Sequence, residues 1–119
     1  MLINLSNHPS ATWQAAQLNA AAVYGEVIDV PFPDVDPNGD EIYIQSLCEE
    51  YFEKIRQIIQ EEAATVHIMG EITFTHKLVN ILQTKGVNCI ASTTERIVNE
   101  TGNGVKETLF VFSRFRKYI

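Results

Sequence analysis

Three short polar clusters carry the residue types that could bind or transform a ligand. Ser6, Asn7 and His8, with Ser10 beyond Pro9, follow the apolar run that begins at Leu2. Gly70 and Glu71 follow the run Thr65 to Met69 and lead to Thr73 and Thr75. Ser92 and Thr93 close a third run, with Arg96 just beyond. Short hydroxyl and amide side chains next to free helix amides, with a glycine that lets backbone approach closely, suit an anion or a nucleotide. Arg96 adds a planar fork of donors that matches phosphate. Histidine is the side-chain type most often used to move protons, so His8 is the candidate general acid or base.

Each of these residues also has a structural role open to it. Ser10 and Thr73 are preferred N-cap types, and His8 before Pro9 could simply belong to its loop. Glu71 could favour a helix N-terminus, or it could contact a ribose hydroxyl or a base amine. His67, between Val66 and Ile68, reads as a buried, satisfied histidine, whereas His76 falls on an exposed helix position. The chain contains no GxGxxG, Walker, GxSxG or HExxH motif and no carboxylate cluster with metal spacing. A conventional dinucleotide, ATPase or metallohydrolase site is therefore not expected, and neither a metal nor a cofactor is called for. Cys48 and Cys89 sit in apolar segments without CxxC spacing and read as buried free thiols.

The elements that must position these clusters alternate. Leu2 to Ser6 reads as a short buried strand, followed by a helix capped at Ser10 and ending at Gly25. Glu26 to Phe32 is a second strand, closed by prolines, and a turn-rich loop delivers Asp40 as the N-cap of a long helix. That helix has one apolar stripe through Ile44, Leu47, Cys48, Tyr51, Phe52, Ile55, Ile58 and Ile59, with charges opposite. Thr65 to Met69 is nearly all apolar, as suits a central strand, and its helix ends at Lys85 and Gly86. A fourth strand spans Val87 to Thr93. "ERIVNE", the turn "TGNG" and "KETLFVFSRFRKY" then read as a β-hairpin. Its last strand should set Phe110, Phe112, Arg114 and Arg116 against Leu109, Val111, Ser113 and Phe115. This alternation serves either a protected edge or a functional surface, a dimer contact or a basic strip over the ligand cleft.

The pattern predicts an α/β fold: a single Rossmann-like domain over 1–119, three-layered, with a mainly parallel sheet in the order 2-1-3-4. The α/β part spans 1–92 and a C-terminal hairpin 93–119. The switch point then falls between strands 1 and 3, where open α/β sheets take their ligands and where "SNHPS" and "MGEITFT" meet. With 45% hydrophobic and 20% charged residues, the 119-residue chain fits one core. No leader or membrane-length apolar run is evident, so the expectation is a cytoplasmic protein without a membrane partner. A net charge of −6 opposes binding to long nucleic acid.

With Ser6-Asn7 ending the first strand and "IMGEITFTHKLVNIL" after the central one, the α/β part resembles the CRISPR-associated Rossmann-fold (CARF) domains and the small stand-alone proteins related to them. The resemblance implies a homodimer that binds a cyclic oligoadenylate across its two-fold axis, in antiviral defence, with the loops after strands 1 and 3 as walls. Some relatives of that family are ring nucleases that cut the messenger without metal, and others only bind it. Glu71 departs from the pattern, standing where members often have a second small residue. Two other classes remain open on the residues alone: an interaction module using the Phe-Arg hairpin, and a small enzyme acting on a phosphorylated substrate through His8.

Overall fold

The computed structural model describes residues 1–119. The element order is β1 (Leu2–Ser6), a 3-10 turn (Ser10–Thr12), α1 (Ala15–Ala22), β2 (Val27–Pro31), α2 (Glu41–Ile59), β3 (Thr65–Met69), α3 (Ile72–Thr84), β4 (Asn88–Thr101) and β5 (Val105–Lys117). These strands form one five-stranded sheet in the order β2-β1-β3-β4-β5, with the first three pairings parallel and β4-β5 antiparallel. The predicted α/β architecture, its strand order and its C-terminal hairpin are all present. The chain steps outward from β1 to β2 and then back across β1 to β3 and β4. Right-handed crossovers therefore put α1 on one face and α2 with α3 on the other.

Burial follows that division. Between the sheet and α2/α3 lies the larger core, built on Ile3, Leu5, Val66 and Ile68 from the strands and Ile55, Phe74, Leu78 and Leu82 from the helices. Truncating any of these to alanine would cost roughly 2–5 kcal/mol, the usual scale for a buried aliphatic or aromatic side chain. Asp40 caps α2 as the sequence predicts, its carboxylate accepting from the Tyr43 amide at 2.9 Å. Both cysteines are buried and free, and burial pushes both thiols up to about 11, so they stay protonated.

The α1 face is different, with a smaller apolar cluster of Leu2, Trp13, Ala21, Ile90, Phe112 and Phe115. Here the first helix starts later than its sequence suggests. Ser10 does not cap it, because its hydroxyl and amide are bonded to Asp29 at 2.7 and 3.1 Å. Gln14 bonds the β5 backbone at Phe110 and Phe112. Tertiary bonds thus hold residues 10–14 out of the helix, and regular winding begins at Ala15.

β4 runs unbroken from Asn88 to Thr101, so the fourth strand is itself one arm of the hairpin. The pairing Thr93↔Arg114, Thr94↔Phe112 leaves Ser113 as an extra residue. This bulge resets the alternation. Phe115 joins Phe112 and Phe110 on the α1 face instead of opposing them, which corrects the strict alternation read from the sequence.

Candidate functional site

The site grows from the middle of three strands. Asp29, Asn4 and His67 are each the third residue of a five-residue strand, and the parallel register sets Asn4 beside Asp29 on one side and His67 on the other. On the α1 face these three form a polar row across the sheet, beside the apolar cluster of Leu2, Trp13 and Ile90. Asn4 and His67 are buried at 1% and 2% exposure, so each of their polar atoms needs a partner.

All of them have one. Asn4 Nδ2 donates to Asp29 Oδ1 at 2.8 Å and to the His8 carbonyl oxygen at 2.9 Å. Both of those groups only accept, which fixes the amide's orientation. Asn4 Oδ1 accepts from Ser6 Oγ at 2.8 Å and faces His67 Nδ1 at 2.9 Å. His67 Nδ1 must therefore carry the imidazole proton. On the far side of the ring, His67 Nε2 lies 2.6 Å from Ser92 Oγ. Burial, with His8 adding to it, lowers the His67 pKa to about 4, so the ring is neutral at pH 7 and Nε2 holds a lone pair. Ser92 accordingly donates its hydroxyl proton to that nitrogen, while its oxygen accepts from Gln17 Nε2 at 3.1 Å. Edge-on contacts from Trp13 and Phe115, with ring centroids 5.5 and 5.4 Å away, hold the imidazole plane.

An opening lies above this row because the β3-β4 ladder stops at His67↔Ile90 while β1-β3 pairing continues to Ser6↔Met69. The parted strands leave a cleft of about 470 Å³, walled by the loop after β1 (Ser6 to His8), the end of β3 (Met69, Gly70), Ser92 and Thr94 of β4, and the aromatics Trp13 and Phe110. This is the switch-point position. Its lining contains no Asp, Glu, Lys or Arg. The loop after β1 is pinned at the His8 carbonyl, which also accepts from the Trp13 indole at 2.9 Å, leaving the His8 ring exposed at the rim.

Of the residues singled out in the sequence, Ser6, Asn7, His8, Gly70 and Ser92 meet at this cleft. The others lie elsewhere. Ser10 is held by Asp29. Glu71 caps α3, accepting from the Thr73 and Phe74 amides at 3.0 and 2.8 Å, so the helix amides that a phosphate would use are already taken. Thr73 Oγ1 donates to that same carboxylate at 2.7 Å, and Thr75 is buried with no partner for its hydroxyl. Thr93 Oγ1 bonds the Arg114 backbone at 3.0 Å, and Arg96 pairs with Phe110 farther out on the hairpin, outside the cleft lining. A Cβ at Gly70 would meet the Phe32 ring, so any larger residue there has to displace that side chain. Missing from the sequence reading were Asn4, Trp13, Gln17 and Asp29, and the partnership of His67 with Ser92. The available signal was one polar residue at the centre of each apolar strand.

Fold and cleft together define an α/β domain with an aromatic-walled cleft, free of Asp, Glu, Lys and Arg, at the switch point of a mainly parallel sheet. By sequence the chain belongs to the family described as the Uncharacterized protein MJ1673 family, whose model matches residues 1–116. Neither a curated protein nor a solved structure matches it.

Proposed function

We propose that this protein binds a nucleotide in the switch-point cleft, the ligand being a cyclic oligoadenylate shared between the two subunits of a homodimer. The observation that carries the reading is the composition of the cleft: Trp13 and Phe110 offer faces or edges to a base, and Ser6, Asn7, Ser92 and Thr94 offer hydroxyl and amide partners to ribose and base edges. Recognition rests on base and ribose. With no cation in the lining and the α3 amides occupied by Glu71, phosphates would stay toward solvent or toward a second subunit. Phe110 is 62% exposed, the kind of unpartnered aromatic that a flat ring or a second subunit covers.

If the ring is also cut, the chemistry requires only positioning. A ribose 2'-hydroxyl held in line attacks its own phosphodiester, and a group at the rim moves the proton. His8, exposed at the cleft mouth with its carbonyl held by Asn4 and Trp13, would be that group.

Trp13 is the chain's one tryptophan and lines the cleft, so its fluorescence reports occupancy directly. Titration with cyclic tri-, tetra- and hexa-adenylate should change that emission saturably for one of them. Unchanged emission with all three, and with AMP and ATP, would overturn the reading.

A further inference from the structure

We propose that Ser92, His67 and Asn4 form a nucleophilic relay that hydrolyses small uncharged carboxylic esters in the cleft. This activity goes beyond nucleotide binding and stands on its own distances. Three relations define a serine nucleophile with its base and orienting group, and all three are present. Ser92 Oγ–H points at His67 Nε2 across 2.6 Å. Behind the ring, Asn4 Oδ1 fixes the tautomer at 2.9 Å, and Asp29 in turn polarises the Asn4 amide at 2.8 Å. Ser92 is only partly buried and faces the same cleft as His67.

The reaction balances with water as the only co-substrate. Ser92 Oγ adds to the acyl carbon as its proton passes to His67 Nε2. The adduct collapses, and the leaving alkoxide takes that proton and departs as an alcohol. Water then attacks the Ser92 ester, His67 accepts its proton, and collapse releases the acid with Ser92 Oγ–H restored. The imidazolium formed midway is met by the Asn4 carbonyl oxygen. Gln17 Nε2, 3.1 Å from Ser92 Oγ, has a second N–H with no protein partner, and this donor is placed to meet the developing oxyanion. A cleft without ionic side chains, walled by Trp13, Met69 and Phe110, suits an uncharged acyl group.

A purely structural role would leave the same hydrogen bonds in place, so the test must read reactivity at Ser92. The purified chain is treated with a fluorophosphonate probe and digested, and the adduct is located by mass spectrometry. Hydrolysis of p-nitrophenyl acetate and butyrate is followed in parallel. The expected result is one adduct on Ser92, with hydrolysis reduced to the buffer rate in Ser92→Ala and by roughly a hundredfold in His67→Gln. Circular dichroism and thermal melting establish that both variants are folded. If His67→Gln does not fold, the wild-type adduct and Ser92→Ala decide. No adduct on Ser92, or equal hydrolysis by wild type and Ser92→Ala, overturns the proposal whatever the cleft does with nucleotides.

Discussion

Burial takes His67 from an ordinary value of 6.5 down to about 4, and that displacement has a measurable consequence. Between those two values the unfolded chain binds more protons than the folded one, so stability rises with pH across the window. The His67 contribution is complete above about pH 6.5 and lost as pH falls toward 4, a span worth about 3 kcal/mol. Asp29 acts in the same sense lower down. Partial burial raises its carboxyl, but donors from Asn4 and Ser10 outweigh that and hold it below 3.8, so its contribution also disappears in acid. The urea midpoint should therefore fall between pH 7 and pH 5, before ordinary carboxylates titrate, and the His67 ring resonances should stay in their neutral positions throughout. A midpoint that does not move over that interval would mean the histidine is not buried in its neutral form. His8, at the rim, has a separate test. If the protein cuts a cyclic oligoadenylate, His8→Ala should slow cleavage by roughly a hundredfold while binding persists. EDTA should change neither, and wild-type cleavage by the variant would remove His8 from that role.

At the scale of elements, the turn between β3 and α3 shows how a functional-looking motif can be occupied by the fold. Glu71 satisfies two orphan amides of α3, so Glu71→Ala should lower stability by about 1 kcal/mol, the usual loss for an N-cap, as read from a denaturant midpoint. Gly70→Ala should cost more, roughly 1–3 kcal/mol, because the new methyl has to displace Phe32 from its edge-on contact with Phe74. If either variant matched the wild type, the cap or the contact would contribute nothing. The fold was legible because its signals are local and repeated: three apolar strands, the α2 stripe, the Asp40 cap and the hairpin turn. The site was legible only in part. Its loops could be placed at the switch point, but Ser10 answers to Asp29 across 19 residues, and Ser92 answers to His67 only through the register of the sheet. The bulge at Ser113 likewise has no local marker, yet it decides which phenylalanines flank the α1 face.

For the whole molecule, the radius of gyration is 16.2 Å with a longest extent of 52 Å, against about 13.5 Å for a compact chain of this length. In the far half of the β4-β5 hairpin Val98, Val105, Leu109 and Phe110 are exposed. A two-stranded ribbon is marginal alone in water, so this arm should be covered by a second copy in the proposed dimer. Light scattering should give twice the chain mass, and Phe110→Glu should return it to the monomer; a monomeric wild type would leave the arm bare. Whether the neutral cleft at the switch point holds a nucleotide is read by titration calorimetry. A cyclic oligoadenylate should bind saturably at one ring per two chains, with affinity reduced by Asn7→Ala and Thr94→Ala, whose side chains line the cleft. Absence of binding by cyclic tri-, tetra- and hexa-adenylate and by mononucleotides, in a protein that melts cooperatively, would contradict the proposed function.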